Sequence, residues 1–450
     1  MNKEGSGISA WGLTMMALGT VIGGSFFLGS AIGIHAAGPG IIIAYILGGA
    51  LVYLILFSLS ELTVADAAPG SFRTFAQRAF GPGVGFVTGW VYWTGLVLAM
   101  SSEATAVSLL LRIWFPGLSI PVLGSAIIIL ITLANLLGAE NLSKLESALA
   151  SVKLLTIVGF IVVALLLIFG VFPGKTAVGL GALRGESFFS GGISGIAGSM
   201  LIVIFTYAGF EIIGLAASET ANPHKTVPKA ITYTVVSLVS LYVLAITVLL
   251  PLLPTAGVTE EVSPFVAGLV RSGLTWVAGI INVVLVTAIL STMLAATFGL
   301  GRMIRSLGDE GHAPAFLQDQ GDVPYRGILF SGAAMLAALG LGFLLPKQVY
   351  IFLVSSGGFS LLFTYLIIVS THYKFRRTKG CPPRGNCQLP GFPYTSWVAI
   401  VSLIVIIASM PLVPGQGLGL AAGLILVVFY SACYWVGKVV RRRKRRVAPG

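Results

Sequence analysis

The chain has 450 residues, of which 56% are hydrophobic and only 9% are charged. A mean hydropathy of +0.98 is far above what one soluble core needs, so the composition excludes a soluble globular protein and predicts a protein that crosses the membrane many times. The net charge of +12 does not indicate a nucleic-acid partner, because if both termini are cytoplasmic, 21 of the 27 Lys and Arg residues lie on the cytoplasmic side.

Twelve apolar windows, each of the roughly 20 residues that one bilayer crossing needs, predict twelve transmembrane helices. They are centred near residues 23, 52, 98, 130, 160, 205, 241, 290, 336, 360, 404 and 428. The polar segments between the windows are short, which predicts one membrane domain without a soluble lobe.

The first predicted helix is interrupted. Its stretch GTVIGGSFFLGS, residues 19–30, contains four glycines and two serines. A second Gly-bearing interruption, FTYAGFEIIG at residues 205–214, follows five predicted spans later. An odd number of spans inverts the second element relative to the first, and paired interrupted helices are typical of inverted-repeat transporters whose substrate binds at the breaks.

Unwound backbone inside a membrane needs hydrogen-bond partners, and a zwitterionic amino acid supplies both kinds. We expect its carboxylate to bind the N–H groups of Gly23, Gly24 and Ser25, at the positive end of the outer half-helix. Its ammonium group would bind carbonyls before the first break, including Val21 and Ile22, and those near the second, from Phe205 to Ala208. The alternative is that these glycines only allow close helix packing.

Two ionisable residues are predicted at bilayer depth, where charge is costly and usually functional. Glu103, in MSSEATAV, should face the bundle midway along the third helix; the alternative is a protonated Glu that bonds a neighbouring helix. Lys153, in LASVKLLTIV, lies in the fifth helix and could gain and lose a proton during transport; the alternative is that it snorkels to the cytoplasmic surface. Gly209 and Glu211, at the second break, are predicted to support the broken backbone.

Other features carry less information. The three cysteines predict no disulfide framework, and they and the four histidines lack the spacing of a metal site. We predict no metal, no cofactor and, without a nucleophile and base pair at bilayer depth, no enzymatic activity. The tail RRRKRR, residues 441–446, is interpreted as a stop and orientation signal, with contact to anionic lipids as the alternative.

Several segments resemble the amino acid permeases of the amino acid, polyamine and organocation superfamily. Besides the first break, these are LSELTVADAAPGSFRTFAQRAFGPGVGFVTGWVYW (59–93), YAGFEIIGLAASETANPHKTVPKAI (207–231), GRMIRSLGDEGHAP and FTYLIIVSTHYKFRR. The resemblance implies an all-α membrane protein of the leucine-transporter type, with a 5+5 inverted repeat plus two C-terminal helices, and with helices 1 and 6 interrupted. The expected segments are a cytoplasmic N-terminus (1–10), the two repeats (11–172 and 193–373), the last two helices (395–437) and a basic cytoplasmic tail (438–450).

The resemblance also implies roles for individual residues. Lys153 corresponds to the lysine that takes the place of a sodium ion in proton-coupled relatives, and Glu103 is implied beside the substrate or in proton transfer. Phe205 aligns with an aromatic residue that closes over substrate. Leu294 stands where the family often has Asn, which makes the expected pocket more apolar, and Ser25 departs from the usual triplet by adding a hydroxyl.

The function implied is import of L-amino acids, preferably neutral ones, by proton symport with alternating access, in the plasma membrane and with both termini cytoplasmic. No nucleic acid and no obligatory protein partner are expected. Three alternatives stay open: an exchanger without ion coupling, a cationic amino acid permease, and an amino-acid-sensing receptor.

Overall fold

A computed structural model describes residues 9–65, 71–137, 139–211, 213, 220, 222–259, 261–319, 323–341, 349–381 and 388–447. Throughout these residues the regular structure is helical, which agrees with the predicted class. The first eight helices are α1 (Ala10–Val21), α2 (Gly24–Phe27), α3 (Ser30–Ala37), α4 (Ile41–Ala65), α5 (Ser71–Phe80), α6 (Pro82–Leu111), α7 (Ile120–Asn135) and α8 (Ala139–Ile168). The others are α9 (Gly192–Thr206), α10 (Pro223–Leu249), α11 (Pro264–Arg271), α12 (Thr275–Asp309), α13 (Tyr325–Gly340), α14 (Val349–Lys379), α15 (Tyr394–Ser409) and α16 (Gln416–Val447).

Eight segments of the described chain are long and apolar enough to cross a bilayer. They are Gly24–Ala65, Pro82–Leu111, Ser151–Ile168, Pro223–Leu252, Thr275–Asp309, Val349–Lys379, Tyr394–Leu412 and Gln416–Val440. Four shorter apolar helices, α1, α7, α9 and α13, complete the set. Every predicted centre except the one at 23 lies in one of these twelve segments, and the centre at 23 falls on the break itself. That all twelve segments cross the membrane, and that they form two inverted repeats, stays a prediction.

Ring contacts define the two sides of the bundle. The Phe26 ring of α2 lies 6.0 Å from the Tyr45 ring at the start of α4, so α4 begins beside the far end of the first interrupted helix and runs back. Near the start of α6, the Phe86 ring lies 5.6 Å from the Tyr434 ring in the second half of α16. Both ends of the described chain therefore lie on one side, here called the terminal side; the other is the opposite side.

Glu61 at the end of α4 ties the segment before α15 to the bundle on the terminal side. Its buried carboxylate accepts hydrogen bonds from His372 Nε2 at 2.7 Å and from Arg376 Nη1 at 2.8 Å. It also accepts from the backbone N–H groups of Gln388 and Leu389, both at 2.6 Å. Glu61 therefore pairs with the loop that precedes α15.

One smaller expectation changes. The odd cysteine count argued against a disulfide framework, but Cys381 is disulfide-bonded, while Cys433 is free and exposed. Helix α16 continues to Val447, so residues 438–447 are helical; that this segment is a cytoplasmic tail stays a prediction. The side chains of the basic run at 441–446 lie outside the described residues.

Candidate functional site

The first break separates α1 from α2 at Ile22 and Gly23, whose backbones are extended. In a continuous helix the N–H groups of Gly24 and Ser25 would bond the carbonyls of Thr20 and Val21, four residues earlier. The extended residues turn these N–H groups away from that ladder. The break thus creates a pair of adjacent donors at the start of a helix, as an anion site requires.

A carboxylate already occupies that pair of donors. Glu103, buried in α6, accepts from Gly24 N at 2.8 Å through Oε2 and from Ser25 N at 3.1 Å through Oε1. Because each oxygen takes one N–H group, the arrangement is a two-point clamp on a carboxylate. The carboxylate of a substrate is predicted to bind these same two N–H groups together with that of Gly23.

The second break follows α9 and touches the first. Gly209 has φ +105°, a conformation that favours glycine, and a methyl group there would stand 3.0 Å from the carbonyl oxygen of Thr20. The hydroxyl of Thr20 donates to the Gly209 carbonyl at 3.2 Å. Glu211 supports this turn by accepting from Gly209 N at 3.1 Å and from the hydroxyl of Tyr92 at 3.0 Å.

Lys153 connects α8 to the first break and to α12. Its Nζ donates to the Gly19 carbonyl at 2.6 Å and to Thr292 Oγ1 at 2.9 Å, and the residue is 1% exposed. The Thr292 hydroxyl in turn donates to the Ile22 carbonyl at 3.1 Å. Lys153 therefore does not snorkel to the surface. It lies in a buried chain of polar contacts that satisfies the carbonyls of Gly19, in the last turn of α1, and of Ile22, at the break.

A cavity of about 90 Å³ lies where the two breaks meet. Its polar margin consists of Thr20, Ser25, Glu103, Glu211 and Tyr92, with Thr292 on α12. The rest of the wall is largely apolar and is formed by Val21, Leu96, Ala99, Met100, Phe205, Ala208, Gly209, Ala295, Ala296, Gly299 and Leu361.

Most of the predicted site residues line this cavity, but Leu294 does not. Helix α12 presents Thr292, Ala295, Ala296 and Gly299 to the cavity, a spacing of 3, 4 and 7 that marks one helix face, and Leu294 lies off that face. Ile22, Gly23, Gly24 and Lys153 also lie outside the cavity lining. Ile22 and Gly24 make the backbone contacts described above, and Lys153 acts through its side chain.

Sequence reasoning missed three hydroxyl groups of the site: Thr292, Tyr92 and Tyr365, whose hydroxyl lies 3.4 Å from Glu211 Oε2. A signal existed for Tyr92. It stands 11 residues before Glu103, which is about three helical turns, so both side chains share one face of α6.

On the opposite side an aromatic cluster packs beyond the first break. The Phe26 ring, which follows Ser25 in the chain, stacks on Tyr242 of α10 at 3.8 Å with an interplanar angle of 7°. Phe265 of α11 and Tyr45 of α4 contact the same ring at 5.2 Å and 6.0 Å. This cluster, Phe26, Tyr45, Tyr242 and Phe265, fills the space between the break and the opposite side.

On the terminal side the short helix α5 is held by an ion pair. Arg73, fully buried, donates from Nη2 to Glu310 Oε1 at 2.7 Å and from Nη1 to Oε2 at 2.9 Å. Arg73 Nη2 also bonds Ser306 Oγ at 2.9 Å. The hydrogen bonds from Arg73 hold the pKa of Glu310 below its usual value, so the carboxylate is charged at neutral pH.

Comparisons with known proteins place the chain in a family. Residues 12–448 match the family model described as amino acid permease. The chain is 33% identical to the amino acid permease YtnA of Bacillus subtilis over 444 residues, covering 97% of this chain and 95% of that one. It is 31% identical to the gamma-aminobutyric acid permease of Bacillus subtilis over 443 residues, covering 95% and 94%. The aromatic amino acid transport protein AroP of Escherichia coli K12 is 31% identical over 411 residues, covering 90% of each chain.

Solved structures show the same fold at low identity. A manganese transporter of Eremococcus coleocola, in complex with a substituted aromatic bis-isothiourea compound, aligns over 94% of both chains with 13% identity and a TM-score of 0.57. A mutant of that transporter aligns over the same shares with a TM-score of 0.61. The chain belongs to the amino acid permease family, a family of membrane transporters.

Proposed function

We propose that this member of the amino acid permease family imports neutral L-amino acids together with protons, by alternating access. The observation that carries the proposal is the clamp at the first break, where the N–H groups of Gly24 and Ser25 hold a carboxylate. A site that already binds a carboxylate beside a cavity is suited to the carboxylate of an amino acid.

Substrate binding is proposed to displace Glu103. The substrate carboxylate would take the N–H groups of Gly24 and Ser25, and its ammonium group would take the carbonyls of Thr20 and Val21, whose helical donors the break has turned away. A Glu103 side chain released into a largely apolar cavity would lose its hydrogen-bond donors, and a charged carboxylate there is costly. Uptake of a proton by Glu103 removes that cost and couples one proton to one substrate.

Lys153 is proposed to couple changes at the first break to α12. Its contacts with Gly19 and Thr292 join the two elements, and loss of its proton would remove the positive charge that strengthens both hydrogen bonds. Loss of the Lys153 proton would then loosen the contact between α1 and α12, and its return would tighten that contact. Phe205, which lines the cavity, is proposed to close over bound substrate.

The apolar part of the cavity supports a neutral substrate. Leu96, Met100 and Leu361 offer no partner to a charged side chain. Of the two acidic residues of the lining, Glu211 is engaged by Tyr92 and Gly209. Glu103, once displaced and protonated, would carry no charge to pair with a cationic side chain.

The wider arrangement belongs to the same proposal. Twelve crossings in a 5+5 inverted repeat plus two helices would make the two breaks equivalent elements of residues 11–172 and 193–373. The terminal side is proposed to be cytoplasmic and the membrane to be the plasma membrane, because most Lys and Arg residues then lie inside.

The test is uptake of labelled amino acids into proteoliposomes under an inward proton gradient, an inward sodium gradient, or neither. We expect concentrative uptake of a neutral amino acid under the proton gradient alone. Glu103→Gln keeps the shape of the side chain but removes the charge, so it should abolish proton-driven accumulation and leave exchange between equal pools. Lys153→Ala should also abolish accumulation while the protein stays in the membrane.

Glu211→Gln is the matched control, since it neutralises a second buried carboxylate at the same cavity. We expect it to lower the rate while the dependence on the proton gradient is retained. Uptake that ignores both gradients but needs internal amino acid would overturn proton coupling in favour of exchange. Binding without flux would overturn transport in favour of a receptor.

A further inference from the structure

A groove of about 420 Å³ lies on the terminal side, away from the cavity, between the end of α5, the last turns of α14 and the start of α15. Its lining combines apolar or aromatic surface with two cations. We call this the α14–α15 groove; it is lined by Phe80, Tyr373, Lys374, Arg377, Trp397 and Ile400, together with the hydroxyl side chains of Ser370 and Thr378.

Neutral partners hold the two cations at the groove. Lys374 Nζ donates to the carbonyl of Ala79 at 2.7 Å and lies 4.9 Å from the centre of the Phe80 ring. Arg377 Nη1 bonds the hydroxyl of Tyr373 at 3.3 Å. No acidic side chain is among the described residues that line the groove. The groove therefore presents two positive charges, both on exposed residues.

The apolar wall of the groove continues along the outer face of α15. Trp397, Val401 and Ile404 are 50%, 52% and 51% exposed, and they follow one another at spacings of 4 and 3 on one helix face. Helix α15 belongs to a segment long and apolar enough to cross a bilayer, so this face is suited to acyl chains. Trp397 and Lys374 lie at the ends of their spans, where tryptophan and basic residues meet the headgroups.

We propose that the α14–α15 groove binds an anionic phospholipid. Its phosphate would lie between Lys374 and Arg377, and an acyl chain would follow Trp397 and Val401 along α15. The combination of two cations with an adjoining apolar strip fits a lipid better than a soluble phosphate ester, which has nothing to place on the strip. The headgroup cation of a zwitterionic lipid would lie close to Lys374 and Arg377, so such a lipid should bind more weakly than an anionic one.

The site also has a structural consequence. The same turns of α14 carry His372 and Arg376, which hold Glu61 of α4. A lipid bound at Lys374 and Arg377 would restrain the end of α14 and support that contact. Bound anionic lipid should therefore raise the thermal stability of the protein.

The experiment measures binding of dioleoylphosphatidylglycerol to the delipidated full-length protein by native mass spectrometry, together with the shift in melting temperature on adding the lipid. Each cation near a membrane surface contributes about fivefold in affinity for anionic lipid. We expect Lys374→Gln and Arg377→Gln each to weaken binding by about that factor and the double variant to lose the melting shift. Trp397→Ala should weaken binding of the lipid as well, because it shortens the apolar strip.

Arg302→Gln is the matched control. Arg302 is likewise an exposed arginine on an aromatic ring near the terminal end of its helix, with its guanidinium carbon 5.1 Å from the centre of the Phe298 ring, but it lies outside the groove. The Arg302→Gln variant should bind phosphatidylglycerol as tightly as the wild type does.

Three results would overturn the proposal. The first is equal binding of dioleoylphosphatidylcholine, and the second is an equal loss of binding in the Arg302 and Lys374 variants. The third is binding of glycerol 1-phosphate as tight as that of the lipid, which would indicate a soluble phosphate ester. Melting temperatures without lipid, unchanged among the variants, show that each one is folded. None of these readouts depends on transport, so failure here leaves the proposed function standing.

Discussion

A methyl group on Gly24 would collide with the Glu103 carboxylate and stand 3.0 Å from a methyl group of Ile289. We therefore expect Gly24→Ala to displace Glu103 from the first break without leaving room for a substrate carboxylate. Overpacking of this kind costs about 1–3 kcal/mol, or roughly 5- to 150-fold in apparent substrate affinity. The measurement is the concentration dependence of initial uptake in proteoliposomes.

Gly159→Ala is the control, because a methyl group there meets no atom within 4 Å. It lies within α8, where alanine favours the helix by up to about 1 kcal/mol over glycine. Its uptake should equal that of the wild type. Equal loss in both variants would mean that Gly24 acts through helix flexibility and not through the space at the carboxylate clamp.

At the level of residues, the sequence was most informative where polar or small groups interrupt an apolar run. Gly23, Gly24, Glu103 and Lys153 stand out in this way, and the structure brings them together at the first break. Leu294 was placed by resemblance, which aligns a position but does not show the rotation of its helix. Hydroxyl groups such as that of Thr292 are common in membrane helices, so nothing in the sequence marked it.

At the level of elements, α5 is held by an ion pair whose two side chains differ in exposure, and this difference leads to a prediction. The Arg73 side chain is 0% exposed, whereas that of Glu310 is 29% exposed. Glu310→Ala would leave a buried guanidinium without its carboxylate, which costs about 3–5 kcal/mol. Arg73→Met would leave a carboxylate that water can reach and would replace the buried charge by an apolar side chain. We expect Glu310→Ala to lower the melting temperature more than Arg73→Met.

The double variant, with both substitutions, should melt close to Arg73→Met, because the stranded charge is then absent. Asp309→Ala serves as the control, since Asp309 is the exposed neighbour of Glu310. A melting order with Arg73→Met below Glu310→Ala would show that the ion pair matters less than the packing of the arginine stem.

The long helices were predictable because an apolar run of bilayer length has few other interpretations. The short helices α5 and α11 were not, since 10 and 8 residues are too few for a span and their polar faces resemble loops. Both lie at the ends of the bundle, where they contact the segments on either side of the cavity. Sequence length alone does not reveal such packing.

Across the whole molecule, different forces hold the helices together on the two sides of the bundle. Stacked rings around Phe26 fill the opposite side, while charged contacts at Arg73 and Glu61 hold the terminal side. Stacked rings are weakened by removing aromatic surface, and ion pairs are weakened by removing a charge. Substitutions can therefore weaken the opposite side and the terminal side separately. The proposed alternating access requires that weakening the contacts on one side should not open the cavity to the other side.

Accessibility of a cysteine in the cavity tests this separation. Ala99 lines the cavity, and Ala99→Cys in a background with the native cysteines replaced by serine would report access of a membrane-impermeant thiol reagent. Phe26→Ala removes an aromatic stack worth about 0.5–1.5 kcal/mol, so labelling from the opposite side should rise by roughly 2- to 13-fold. Glu310→Gln should raise labelling from the terminal side only. If either substitution raised labelling from both sides, the two closures would not be independent, and a cavity open to both sides at once would conduct substrate without coupling.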